Sequence, residues 1–274
     1  MLRERVLVAL VLIPVGALII YLGGWVFGIA IALILALAAW EYGGLFRKAG
    51  LRPAMPVLVI GAAILAITRN AFGFTYATIV LSAICLFAMS WHIVDFEKGA
   101  PRSGTDLAIT LSGVVYVGWL GAYLISLRQL PGGLWWFLIA YPALWLADSA
   151  AYFFGKAFGR HRMTPRLSPN KSWEGYGAGV IAGTITGALV AIAWGYISNP
   201  GIDMLVWRGV IIGGVVSILA PLGDLGISMF KRELDVKDTG KLLPGHGGVL
   251  DRIDSWLWAG VIAFYLVYLL AEVL

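Results

Sequence analysis

Apolar residues in this chain fall into long unbroken runs rather than alternating with polar ones. Nine such runs lie near residues 5–22, 24–40, 54–69, 72–91, 106–127, 134–156, 175–197, 206–230 and 253–272. About 20 apolar residues cross the hydrocarbon core of a bilayer as a helix. The alternating pattern of a membrane barrel is missing from the sequence, and helices and closed barrels are the two ways a backbone can satisfy itself in lipid. The pattern therefore predicts an all-α, polytopic integral membrane protein with about nine transmembrane helices. The first two runs are parted only by Leu22, Gly23 and Gly24. Gly175, Gly179, Gly183 and Gly187 recur every fourth residue in the seventh run, which predicts a smooth face open to close approach by another helix.

Composition sharpens this picture. Of the 274 residues, 60% are apolar and 13% charged, about half the charged share of a soluble domain. The one cysteine, Cys85, cannot form an internal disulfide. Met-Leu-Arg-Glu-Arg opens the chain, and no small-x-small cleavage pattern follows at signal-peptide distance, which predicts a retained first helix. With the N-terminus placed in the cytoplasm, 17 of the 20 Lys and Arg residues fall on that side, and only Arg69, Arg128 and Arg208 fall opposite. The net charge of +5 is then a topology signal and implies no nucleic-acid partner. Trp25, Trp91, Trp119, Trp135, Trp136, Trp173 and Trp256 stand near run ends, where most would form an interfacial belt. Two domains are expected: residues 1–130, about five scaffold helices, and residues 131–274, about four helices carrying the polar loops. Those loops, 157–174 and 231–252, follow the sixth and eighth runs and so face the cytoplasm together.

The candidate chemistry lies in the second half. A carboxylate within a span is costly unless it finds a partner or a wet cavity, and it marks function by default. Asp148 lies inside the sixth run, and Asp224 inside the eighth, where Pro221, Gly223 and Gly226 weaken the helix. A helix–helix salt bridge is the plainer reading of this pair. Ser168, Asn170, Lys171 and Ser172 directly precede the seventh run. A helix N-terminus favours anions, and a lysine suits phosphate; a cap plus a topology charge would explain the same residues. The stretch from Ser228 to Ser255 mixes Lys231, Arg232, Lys237 and Arg252 with Asp238, Asp251 and Asp254 around Gly245, Gly247 and Gly248. Cations hold phosphate oxygens, while aspartates hold Mg²⁺, which in turn grips phosphates. Asp251 and Asp254 share a face if the ninth helix has begun by then. His246 sits between glycines in this loop, and His92 and His161 are expected at the surface. There is no P-loop sequence and no zinc motif.

Ser228-x-x-Lys231-Arg232-x-x-x-x-Lys237-Asp238, followed by Pro244-Gly245-His246-Gly247-Gly248-x-x-Asp251-Arg252-x-Asp254, resembles the signature of the phosphatidate cytidylyltransferase (CDP-diacylglycerol synthase) family. The stretches Ser168-Pro169-Asn170-Lys171-Ser172-x-Glu174-Gly175 and Asp148-x-x-Ala151-Tyr152-x-x-Gly155 are similar to that family as well. The resemblance implies transfer of the cytidylyl group of CTP to phosphatidic acid, giving CDP-diacylglycerol and pyrophosphate, with Mg²⁺ as cofactor and room for a second cation. It also implies a homodimer, and the first domain is where dimer contacts are expected. A bacterial inner membrane is expected because no transit peptide is visible, with the site on the cytoplasmic side that the cations mark. On that pattern Asp224 and Asp251 are the metal carboxylates. Asp148, Lys171, Lys237 and Asp238 are the catalytic candidates. Ser168, Asn170, Ser172, Lys231, Arg232, His246, Gly247, Gly248, Arg252 and Asp254 are the substrate-binding ones.

Other readings of the same residues stand beside this one. A secondary transporter would use Asp148 and Asp224 as ion-coupling sites in a broken helix, although no inverted repeat is visible. A related CTP-dependent transferase would act on an isoprenoid or ether lipid. A membrane scaffold would leave the loop chemistry without a purpose.

Overall fold

The computed structural model describes residues 13–197, 206–240, 242 and 247–272. His246 and the start of the first predicted run lie outside the described residues. Ten α-helices are described: α1 (Ile13–Leu22), α2 (Gly24–Lys48), α3 (Met55–Glu97), α4 (Ser103–Gly113), α5 (Tyr123–Gln129), α6 (Gly133–Phe158), α7 (Trp173–Ile197), α8 (Val206–Leu219), α9 (Pro221–Glu233) and α10 (Leu250–Glu272). A π-helical segment, Val114–Trp119, links α4 towards α5. The only described strands, β1 (Arg162–Thr164) and β2 (Ser168–Ser172), form one antiparallel hairpin.

Among the described residues, seven helical segments are long and apolar enough to cross a membrane, against the nine runs expected. Part of the difference lies in α3, which holds the third and fourth runs. Gly73 interrupts it with φ 71° and ψ −156°, a conformation that glycine alone adopts readily. A Cβ on Gly61 would touch the Ile84 side chain at 3.5 Å, so the two arms fold back on each other about Gly73. The first run contributes only the short helix α1 to the described residues.

The chain forms two compact units. One comprises residues up to Gln129 together with Lys231–Ile253; the other comprises Leu130–Phe230 and the residues from Asp254 on. In the first unit, α2, α3 and the π-helical segment bury Leu35, Leu45, Leu58, Leu65 and Val117. Large apolar side chains such as Leu33, Leu86 and Phe87 remain exposed, as expected of a surface that faces lipid. Arg69 is fully buried: its guanidinium stands 3.7 Å over the Phe74 ring and donates to Ser126 Oγ at 3.0 Å. Aromatic faces and a hydroxyl thus replace water around a charge within a span. His92 is buried rather than superficial, because Thr110 Oγ1 lies 3.0 Å from its Nε2. The same Thr110 hydroxyl accepts the Ala54 N–H, while Asp106 accepts the Arg52 N–H, and together they clamp the α2–α3 connection.

The second unit is built on close helix approach, as the glycine spacing predicts. Gly175 and Gly179 of α7 lie against the Ala151 and Ala147 carbonyls of α6. Gly183 meets Ser217, and Gly187 meets Gly209 and Gly213 of α8. In lipid, where apolar burial between helices gains little, such backbone-to-backbone packing is a main source of association. Trp136 is buried, its ring edge against Trp194, and so does not join the interfacial belt.

Candidate functional site

In the second unit the β-hairpin presents the polar segment before α7. Strands β1 and β2 pair Arg162 with Ser172 and Thr164 with Ser168. The strand runs directly into α7, and Ser172 is its N-cap: the hydroxyl accepts the Gly175 N–H at 3.2 Å. Ser172 is buried, and a Cβ on Gly159 would strike its side chain. The hydroxyl expected at substrate is thus held by the helix end. Glu174 fastens the preceding chain by accepting the N–H groups of Arg160 and His161 and pairing with His161 Nδ1 at 2.6 Å. His161 is a surface residue, as expected. A cavity of about 440 Å³ lies there, lined by Ala157, Phe158, Gly159, Arg160, His161 and Glu174.

This hairpin delivers Lys171 to Asp224, with Nζ 2.5 Å from Oδ2. Asp224 occupies the first turn of α9, after a break at Ala220 where Pro221 restarts the helix. Proline at a first helical position loses no hydrogen bond, and the positive end of the helix dipole favours a carboxylate there. Ser228, one turn on, points its hydroxyl at Asp224 Oδ1 over a long 3.4 Å. Asp148 on α6 is near enough to interact electrostatically with both Lys171 and Asp224, and its side chain is exposed. Three residues singled out from the sequence therefore gather: Asp148, Lys171 and Asp224. Ser168 and Asn170 lie on the same hairpin strand; Asn170 is exposed and Ser168 partly so. Asp254 is buried on α10; its Oδ1 accepts the Ser255 N–H, and its carbonyl packs against Gly223.

In the first unit a second cluster surrounds Asp251. Helix α10 begins at Leu250, three residues before the predicted run, so Asp251 lies in its first turn. Asp251 Oδ1 receives Lys231 Nζ at 2.8 Å. Its Oδ2 accepts the Thr239 N–H at 2.9 Å, the Thr239 hydroxyl at 2.9 Å and the Gly248 N–H at 3.2 Å. Gly247 takes φ 83°, and a Cβ on Gly248 would strike the Thr239 hydroxyl. Both glycines thus serve the turn geometry and close approach expected of them. Arg232, Lys237, Asp238 and Arg252 are exposed around this cluster.

Two participants escape the sequence reading: Thr239 and, above all, Glu41. Helix α2 runs to Lys48, eight residues past the apolar run that ends at 40, and carries Glu41 inside it. Glu41 is buried, and its Oε2 accepts the Leu250 N–H at 2.9 Å and lies 3.2 Å from Thr239 Oγ1. A lone carboxylate at the edge of a span was the available signal, the same one that marks Asp148 and Asp224.

Among the described residues, no three His, Cys, Asp or Glu side chains gather as a ready-made cage for a metal. The donor sets at Asp224 and Asp251 nonetheless suit Mg²⁺. Hard carboxylate oxygens, one or two at a time and completed by substrate phosphates, are its usual protein ligands. The neighbouring lysines suit those phosphates.

The fold and these clusters define a polytopic helical membrane protein with paired lysines and aspartates fit for phosphate and divalent cations. The chain belongs to the cytidylyltransferase family, whose model matches residues 3–270. It is similar to the phosphatidate cytidylyltransferase of Synechocystis sp., with 31% identity covering 99% of this chain and 98% of that protein. It is similar also to the phosphatidate cytidylyltransferase of Staphylococcus saprophyticus, at 37% identity over 63% of this chain and 64% of that protein. The Staphylococcus aureus protein of the same name is 36% identical over 65% of this chain and 66% of its own length.

Proposed function

We propose that this chain transfers the cytidylyl group of CTP to phosphatidic acid, producing CDP-diacylglycerol and pyrophosphate at the cytoplasmic face of a bacterial inner membrane. Membership of the cytidylyltransferase family and likeness to a relative along nearly the whole of both chains support the substrates. The single geometric observation that carries the reading is the Lys171–Asp224 pair, with Asp148 in electrostatic reach. The distribution of cations supports the orientation.

In this reading an oxygen of the lipid phosphate attacks the α-phosphorus of CTP, and the bond to the bridging oxygen breaks to release pyrophosphate. The nucleophile is already anionic, so the protein need not supply a serine or cysteine. Its task is to bring two anions together and to stabilise the leaving group. Mg²⁺ would supply charge neutralisation at the phosphates, and the candidate carboxylates for it are Asp224 in the one unit and Asp251 in the other. Lys171 and Lys231 start on these carboxylates and turn to phosphate oxygens when substrate arrives. Lys237 and Asp238 stand exposed in the loop, positioned to meet the reacting phosphates; Arg232, Arg252 and His246 serve the triphosphate or lipid headgroup. Ser168 and Asn170 contact substrate from the hairpin, with Ser172 holding that strand in place. Gly247 and Gly248 let substrate approach the backbone, and Asp254 steadies the start of α10. Asp148 orients Lys171. A homodimer and a second cation belong to the same proposal.

The test is purified protein with labelled CTP, Mg²⁺ and phosphatidic acid, scored for a CDP-lipid. Turnover with an isoprenoid or ether-lipid acceptor but not with phosphatidic acid would move the substrate. Ion flux in liposomes without CTP turnover would replace the enzyme by a transporter.

A further inference from the structure

Glu41 is only 2% exposed and comes from a helix far from the signature in sequence, yet the signature loop is built around it. Its Oε2 takes the Leu250 N–H at 2.9 Å, which fastens the start of α10. A Cβ on Gly240 or on Gly248 would run into its carboxylate, so both sides of the loop pass directly against it. Its Oε1 is sequestered from solvent and has no hydrogen-bond partner among the described residues. A buried oxygen without a donor is unfavourable, and a polar group kept in that state calls for a role beyond packing.

Thr239 points to that role. Its Oγ1 lies 3.2 Å from Glu41 Oε2 and 2.9 Å from Asp251 Oδ2. A hydroxyl has one proton, so it donates to one of these carboxylates at a time. Asp251 Oδ2 also accepts two backbone N–H groups, from Thr239 and Gly248, while Oδ1 faces Lys231. Glu41 therefore competes for the third donor on Oδ2. The outcome decides how much of the Asp251 charge is spent inside the protein and how much stays available to a cation.

We infer that Glu41 is a positioning residue for Asp251: it anchors the Thr239–Leu250 loop and, through the Thr239 hydroxyl, sets the strength of Asp251 as a cation ligand. The inference rests on the proposed reading that Asp251 binds a divalent metal. Groups that orient a metal ligand typically change metal affinity or activity 10–100-fold when removed.

The experiment uses full-length protein in detergent and the variants Glu41→Gln, Glu41→Ala and Thr239→Val. Mn²⁺ binding is followed by electron paramagnetic resonance without CTP, and CTP turnover is followed against Mg²⁺ concentration. Glu41→Gln keeps the shape and an acceptor for Leu250, so its thermal midpoint should stay near wild type. Its Mn²⁺ affinity should fall by about 10-fold or more, its half-saturating Mg²⁺ should rise to match, and kcat at saturating Mg²⁺ should remain within a few-fold. Thr239→Val takes a donor away from Asp251 Oδ2 and should move both quantities the other way, to tighter Mn²⁺ binding and a lower half-saturating Mg²⁺. Wild-type Mn²⁺ affinity in Glu41→Gln and Thr239→Val, with only a lowered thermal midpoint in Glu41→Ala, would reduce Glu41 to a plain anchor and overturn the inference. A wild-type protein that binds no Mn²⁺ overturns it as well. A wild-type protein that binds Mn²⁺, responds to these variants as described and yet makes no CDP-lipid defeats the proposed reaction while leaving Glu41 its role.

Discussion

Lys231 Nζ lies 2.8 Å from Asp251 Oδ1, with the two side chains only 15% and 6% exposed. A pair so covered behaves differently from a surface ion pair. Removing one partner strands the other charge, at a cost of about 3–5 kcal/mol in comparable buried pairs. Lys231→Met should therefore lower the thermal midpoint sharply in detergent. The double variant Lys231→Met/Asp251→Asn should regain part of that loss, and simple additivity of the two would show that the pair is not coupled. Asp251→Asn alone should abolish Mg²⁺-dependent CTP turnover.

The Lys171–Asp224 pair makes the opposite prediction. Both side chains are about a third exposed, at 31% and 34%, so solvent screens them and the pair should contribute only about 0–1 kcal/mol to stability. Asp224→Asn should leave the thermal midpoint nearly unchanged while lowering CTP turnover by about 100-fold or more, the range seen when a group facing developing charge is lost. Wild-type turnover in this variant would remove Asp224 from the site.

Ser172 separates capping from substrate contact. Its hydroxyl holds the Gly175 N–H. Ser172→Ala should destabilise the protein by about 1 kcal/mol, the usual cost of losing such a cap, with the KM for CTP within about twofold of wild type. An unchanged thermal midpoint with a tenfold higher KM would place the hydroxyl on the substrate instead.

The glycine face of α7 can be probed by adding one carbon. At Gly183 the atom in the way is Ser217 Oγ, whereas at Gly187 it is the Gly209 carbonyl. Gly183→Ala should cost about 1–3 kcal/mol, a typical penalty for overpacking, and Ser217→Ala should recover part of it. Gly187→Ala meets backbone and should be the more damaging, with no side-chain rescue. Equal midpoints for the two variants would contradict this packing.

The helices were largely legible because lipid acts on each residue through its own transfer free energy, so a run of apolar residues declares a span locally. The break before Asp224 was legible for the same local reason: Pro221 cannot continue the hydrogen-bonding pattern of α8. The turn inside α3 was legible as well: the sequence parts the runs 54–69 and 72–91, and the contact of Gly61 with Ile84 shows the two arms folding back there. The exact pivot, Gly73, lies just inside the second run. Asp148, Lys171 and Asp224 could each be picked out as polar groups in or beside spans. That they gather depends on how the hairpin β1–β2 leads into α7, which composition does not encode. Glu41 escaped because the apolar run stops at residue 40 while the helix does not.

The sequence by itself determined the solvent, the helical class, the family and a set of candidate site residues. These are properties of residue type and short-range order, which the chain carries wherever it folds. Tertiary structure alone decided that Glu41 would meet Thr239 across 198 residues, that Ser172 would spend its hydroxyl on a helix end, and that Lys231 would face Asp251. Hydrogen bonds are short and directional, so which oxygen receives which proton is settled only when distant segments come to rest against each other.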